Sequence, residues 1–138
     1  MNSKPFEEVL NRFGSIEFSE TFDLIVAVAN GGIIPAALLN QKLNLDIQLL
    51  KLNLRDSNQN KLYDKPKLLE EISFDVKGKR VLLVEDRVKT GTTLGFAKDL
   101  LKGKGAKEVR TFAVNGKADY CLYDEPCFFL PWNQRTNK

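Results

Sequence analysis

Apolar positions along the chain follow two periods, and the alternation between them predicts the elements. Phe6, Val9, Leu10 and Phe13 recur at helical spacing behind Ser3 and Pro5 and stop at Gly14, which predicts a helix with one buried side. The run Asp23-Leu24-Ile25-Val26-Ala27-Val28-Ala29 has strand length and no alternation, as in a strand covered on both faces of a parallel sheet, and Asn30-Gly31-Gly32 breaks it. Ile33 to Leu43 reads as a helix with Pro35 in its first turn, and Ile47 to Leu54 as a strand with Leu50, Leu52 and Leu54 in alternation, so the pair completes a βαβ unit. Residues 55–67 are polar and include Asp56-Ser57-Asn58-Gln59-Asn60, which predicts a mobile surface loop. Leu68 to Phe74 fits strand and helix equally well. After the turn Lys77-Gly78-Lys79 come a third buried strand at Val81–Val84, a helix over Leu94–Leu101 ending near Gly103 and Gly105, and a strand at Val109–Val114. The aromatic stretch Tyr120 to Trp132 predicts short strands or a flap at the sheet edge, with the flap covering 119–138. This succession predicts a single α/β domain over 1–138, a mainly parallel twisted sheet flanked by helices.

Composition narrows the chemistry. The 138 residues contain no histidine, so imidazole bases, Ser-His-Asp and Cys-His nucleophiles and HExxH metal sites are excluded. Two cysteines alone cannot close a zinc site, and Cys121 and Cys127 lack a secretory framework, which points to a reducing, cytoplasmic setting. The start of the chain carries Glu7 and Glu8 where a signal peptide would be apolar, and the most apolar window, Leu24 to Leu39, is interrupted and too short for a bilayer. No membrane association is expected. A net charge of +3 without clustering gives no reason to expect a nucleic-acid partner.

The chemistry concentrates in Val81-Leu82-Leu83-Val84-Glu85-Asp86-Arg87-Val88-Lys89-Thr90-Gly91-Thr92-Thr93-Leu94. Two adjacent carboxylates stand at the carboxyl end of a buried strand, the end where open α/β sheets bind ligands. A Thr/Gly turn entering a helix offers N–H and hydroxyl donors to a phosphate at Thr90 to Thr93. Carboxylates only accept hydrogen bonds, so Glu85 and Asp86 suit the vicinal hydroxyls of a sugar. Taken singly, either piece is more often a pair of solvated acids or a Thr helix cap; in this order they describe a phosphorylated ribose. Gly91 does not belong to a Walker A loop, and Asn30-Gly31-Gly32 is not GxGxxG.

This stretch resembles the phosphoribosyl diphosphate (PRPP) signature of type I phosphoribosyltransferases: apolar run, two acids, closing TGxT. The resemblance implies that Glu85 and Asp86 hold the ribose 2′ and 3′ hydroxyls and that Thr90, Gly91, Thr92 and Thr93 hold the 5′-phosphate. Ala29-Asn30-Gly31-Gly32-Ile33-Ile34-Pro35-Ala36 is similar to the family's pyrophosphate loop, and Phe128-Phe129-Leu130-Pro131-Trp132 resembles the ending of small xanthine-guanine-type purine enzymes. The implied fold is Rossmann-like. The implied partners are PRPP, Mg²⁺ carried through PRPP near Glu85 and Asp86, a nucleobase, and a second copy of the chain in a homodimer.

Departures from the family gather on the acceptor side. Lys89 stands where 6-oxopurine enzymes carry an Asp acting on the ring nitrogen, and an ammonium does not accept that proton unless its pKa is strongly lowered. Asn30 replaces the basic residue that often precedes the glycines, leaving pyrophosphate to backbone donors, Mg²⁺ and Arg55, Lys61, Lys65 or Lys67. Val114 aligns with the lysine that reads a purine 6-oxo group, Cys127 with a base-stacking tryptophan, and Phe128 is the candidate platform. The expectation is therefore a phosphoribosyltransferase with Glu85, Asp86 and Lys89 at the reacting centre, Asn30, Gly31, Gly32, Lys89 and Thr90 to Thr93 on PRPP, and Val114, Cys127 and Phe128 at the base. Purine salvage is the favoured role. The alternatives are a regulator that binds PRPP or a nucleotide without turnover and, last, a phosphorylated signalling domain.

Overall fold

The computed structural model describes residues 2–53, 67–68 and 71–133. Within these, α1 (Phe6–Ser15), β1 (Leu24–Ala29), α2 (Ile33–Leu43), β2 (Ile47–Asn53), β3 (Lys67–Leu68), β4 (Arg80–Arg87), α3 (Thr92–Gly103), β5 (Glu108–Asn115) and β6 (Tyr120–Tyr123) follow one another. The strands form one sheet in the order β3-β2-β1-β4-β5-β6. All neighbours are parallel except β3, which pairs antiparallel with β2 at Leu52↔Leu68.

Strand alternation divides the core into two layers, because successive side chains point to opposite faces. Ile25, Ala27, Leu82, Val84, Phe112 and Val114 lie on one face with Val9 and Phe13 of α1 and Ala36 and Leu39 of α2. Val26, Val28, Val81, Leu83 and Val109 lie on the other with Leu94, Ala97 and Leu101 of α3. Each fully buried Leu or Ile contributes roughly 1.5–3 kcal/mol, so the unbroken apolar runs of β1 and β4 are explained by burial on both sides. Arg80 ties the amino ends of β1 and β4 together: its guanidinium donates to Asp23 at 3.1 Å and to Thr21 Oγ1 at 2.6 Å. That pair holds the Asp23 carboxyl down at about 2, chiefly through the Arg80 side-chain hydrogen bond.

Several expectations are refined here. β4 extends beyond Val84 through both acids to Arg87, because its register with β5 continues through Glu85↔Ala113 and Arg87↔Asn115. The ambiguous segment from Leu68 begins as the short edge strand β3 and has no regular structure over 71–74. The aromatic tail supplies β6, and Ser3 bridges to Phe129 beyond it. Of the expected mobile loop over 55–67, residues 55–66 lie outside the described residues, Arg55, Lys61 and Lys65 among them. Among the described residues no helix is long and apolar enough to cross a membrane.

Candidate functional site

The strand order reverses between β1 and β4. The chain proceeds from β1 to β2 on one side and from β4 to β5 and β6 on the other, so a crevice opens beyond the carboxyl ends of β1 and β4. The segments leaving these two strands enter α2 and α3. The N-caps are Gly32 and Gly91; neither helix has a side-chain cap or an acid in its first turn. Neither helix N-terminus thus carries an acid of its own against the positive end of its dipole, the arrangement that receives a phosphate.

The glycine loop lies directly on the acid pair. A Cβ on Gly31 would stand 2.7 Å from Asp86 Oδ1 and 2.8 Å from Glu85 Oε1, so no larger residue fits without moving the carboxylates. A Cβ on Gly32 would collide with the Val84 carbonyl oxygen and approach Val28 O at 2.8 Å, which makes Gly32 a requirement of the strand-to-helix turn itself. The Gly32 N–H is held by Val28 O at 2.7 Å and the Ile33 N–H by Asn30 O at 3.1 Å. The Ala29–Asn30 peptide is cis.

Both carboxylates are pinned by the backbone that follows them. Glu85 Oε1 accepts the Asp86 N–H at 2.9 Å, and Asp86 Oδ1 accepts the Arg87 N–H at 2.7 Å. Burial, reinforced by the neighbouring Asp86 charge, pushes the Glu85 pKa well above the ordinary carboxylate value. Farther on, Thr90 Oγ1 and Thr92 Oγ1 share a hydrogen bond of 2.9 Å, and Gly91 takes a left-handed conformation with φ 82°. Thr90 and Thr92 are exposed and Thr93 half-buried, so this turn is open to a ligand, with exposed Lys89 at its entrance. Asn30 is exposed at the other loop. Asn30 to Gly32, Glu85, Asp86 and the turn from Lys89 to Thr93 therefore leave neighbouring strands at the same end of the sheet.

The expected base residues distribute differently. Val114 is fully buried in the core layer with Phe112 and Leu82, which corrects its assignment to a base site: alternation along β5 turns position 114 into the core. The Phe128 ring is 2 % exposed and packs edge-on against Tyr123 at 5.1 Å, so it is a core ring and not a stacking platform. Cys127 is exposed and lines a cleft of about 660 Å³ with Lys4, Glu8 and Glu125, none of which belongs to β4. That cleft is crossed by a Lys4–Glu125 ion pair of 2.8 Å.

Three residues that escaped the sequence reading shape this side of the site. Arg87 Nη2 donates to Phe128 O at 3.0 Å and to Asn133 Oδ1 at 2.7 Å, while its buried Nε has no partner. Asn115 pairs its amide with both backbone groups of Glu125. Gly116, at φ 124°, lets the β5 exit approach Val88, whose backbone oxygen would collide with any Cβ there. The Asn115-Gly116 dipeptide after an apolar strand was the available signal for the last two.

Known proteins resemble this chain in sequence and fold. The family model of the phosphoribosyl transferase domain matches residues 7–130. The chain is 28% identical over 93 residues to orotate phosphoribosyltransferase of Sulfurisphaera tokodaii, covering 67% of this chain and 43% of that protein. It is 30% identical over 73 residues to hypoxanthine-guanine phosphoribosyltransferase of Streptococcus agalactiae, covering 46% of this chain and 41% of that one. The chain thus spans less than half the length of these two curated relatives. The solved purine phosphoribosyltransferase of Pyrococcus horikoshii superposes with a TM-score of 0.79 at 25% identity, covering 99% of this chain and 96% of that one. With the signature acids, the glycine loop and the sheet order all in place, the chain belongs to the phosphoribosyl transferase domain family.

Proposed function

We propose that this protein transfers the 5-phosphoribosyl group of PRPP to a nitrogen acceptor, a nucleobase, and releases pyrophosphate. The observation that carries the reading is the close approach of Gly31 to Glu85 and Asp86, which leaves no room for a Cβ, at the switch point of the sheet. It sets a sugar-hydroxyl acceptor pair beside a backbone loop suited to the leaving group. The acceptor nitrogen attacks C1 of the ribose, the bond from C1 to the diphosphate oxygen breaks, pyrophosphate departs with the electron pair, and the proton of the acceptor N–H passes to water or to the departing pyrophosphate. Little covalent work falls to the protein. Glu85 and Asp86 accept hydrogen bonds from the ribose hydroxyls and lie near the positive charge that develops on the sugar; Thr90 to Thr93 and the start of α3 fix the 5′-phosphate; Asn30 to Gly32 and the start of α2 receive pyrophosphate.

Among the described residues no group of three or more His, Cys, Asp or Glu could cage a metal. The carboxylate pair instead suits Mg²⁺, which takes one or two carboxylates and completes its shell with substrate oxygens and water. When bound, Mg²⁺ supplies charge neutralisation on the diphosphate. Homodimer formation is part of the reading, supported by exposed apolar side chains such as Phe6 and Leu10 on α1 and Phe129 in the tail.

A purine acceptor is favoured by the likeness to the Pyrococcus horikoshii enzyme. Lys89 in place of an acid and the withdrawal of Phe128 into the core favour a second reading, a regulator that binds PRPP without turnover. Pyrophosphate release assayed with adenine, guanine, hypoxanthine, xanthine, uracil and orotate decides between them: release with one or more bases establishes the transferase, and silence throughout alongside PRPP binding establishes the regulator.

A further inference from the structure

Arg87 and Asn115 are register partners at the carboxyl ends of β4 and β5, and both side chains hold the backbone of the C-terminal segment. Arg87 grips Phe128 O at 3.0 Å and Asn133 Oδ1 at 2.7 Å. Asn133 Oδ1 also accepts the Leu130 N–H at 3.1 Å, and the Asn133 N–H returns to Leu130 O at 2.9 Å, closing a turn under the guanidinium. Asn115 donates to Glu125 O at 3.0 Å and accepts the Glu125 N–H at 3.1 Å.

Stability alone does not account for this fastening. Phe128 and Leu130 are both 2 % exposed, and Phe129 is held at the outer border by the backbone of Asn2 and Lys4, so the segment is already anchored by burial and pairing. Arg87 adds a guanidinium whose buried Nε is left without a partner, an unfavourable element in a purely structural clamp. What the guanidinium adds is connection: Arg87 directly follows Asp86, and its own N–H is held by Asp86 Oδ1 at 2.7 Å. The tail is thereby placed relative to the carboxylates, not to the core alone.

We propose that Arg87, together with Asn115, is a positioning pair that registers residues 125–133 against the donor crevice and so shapes the acceptor pocket without touching the donor. This rests on the phosphoribosyl-transfer reading. The test compares two probes by calorimetry: ribose 5-phosphate, which occupies the donor half, and the tightest of AMP, GMP and IMP, which fills both halves. Wild-type protein binds the nucleotide more tightly than ribose 5-phosphate. Arg87→Met reduces that advantage at least tenfold while ribose 5-phosphate affinity stays within twofold, Arg87→Lys restores part of it, and Asn133→Ala, which removes one anchor, reduces it by a smaller factor. Should Arg87→Met not fold, Arg87→Lys and Asn133→Ala carry the comparison. An unchanged advantage in the variants, a parallel loss of both ligands, or no nucleotide advantage in the wild type overturns the positioning role. Failure of ribose 5-phosphate to bind the wild type is a separate result and overturns the transfer reading itself.

Discussion

At the scale of single residues, the two carboxylates differ in consequence. Asp86 is held by one backbone N–H and borders Gly31, so on the proposed reading its remaining acceptor sites are for ribose. Asp86→Asn converts charge-assisted hydrogen bonds of about 1.5–3 kcal/mol into neutral ones. We expect PRPP affinity to fall by roughly tenfold or more in calorimetry with Mg²⁺; unchanged affinity would contradict the ribose assignment. Glu85 carries a stability cost as well. Burial raises its folded pKa above the unfolded value, so between the two the folded state keeps a proton that the unfolded state has released, and stability declines as pH rises through that window. Glu85→Gln removes the penalty. At pH 7.5 we expect the variant to be more stable in denaturant unfolding while its PRPP binding weakens; a less stable variant would contradict the burial argument.

Glu85, Asp86, Gly31 and Gly32 were legible in the sequence because each signal is local: acids after an apolar run, glycines between strand and helix. Arg87 and Asn115 were not, because their partners lie 41 and 10 residues away and the tail that carries them has no periodicity of its own. Phe128 and Val114 show the converse. An aromatic or apolar side chain suits a core and a base pocket equally, and only strand parity and packing assign both to the core.

At the scale of elements, the site depends on how closely the β1 exit passes the end of β4. That approach was only half legible: periodicity located β1, α2, β4 and α3, but not the extension of β4 through Arg87, since polar residues at a strand end look like loop. The two glycines separate the effects of closeness. Gly32→Ala drives a methyl into the Val84 and Val28 backbone, and we expect a loss of about 2–4 kcal/mol in chemical denaturation. Gly31→Ala meets side-chain carboxylates, which give way only by straining their hydrogen bonds to the Asp86 and Arg87 N–H groups, so its cost falls mainly on the ligand: PRPP affinity drops roughly tenfold while the unfolding midpoint moves less than for Gly32→Ala. If the two variants behaved alike, the loop would not be divided between turn and ligand as the geometry indicates.

For the whole molecule, the sheet separates a stabilising end from a binding end. At the amino ends of β1 and β4 the Asp23–Arg80 pair joins the strands; at the carboxyl ends the chain keeps two uncapped helices and a crowded acid pair. Because Asp23 is lowered to about 2, its contribution is present above the unfolded carboxylate value and is lost as pH falls toward 2, the opposite slope to that of Glu85. Asp23→Asn is thus expected to flatten the acid limb of the pH–stability profile without altering ligand binding, measured by thermal unfolding from pH 2 to 5 and by calorimetry at pH 7.5. An unaltered acid limb would remove the pair from the account.

The most direct measurement is titration of the wild-type chain with PRPP and Mg²⁺ in a calorimeter. A saturable, single-site isotherm that ribose 5-phosphate and pyrophosphate each displace is the predicted result, because each fills one half of the same crevice. No heat at millimolar PRPP, or binding that ribose 5-phosphate leaves untouched, would contradict the claim that the ends of β1 and β4 hold a phosphorylated ribose.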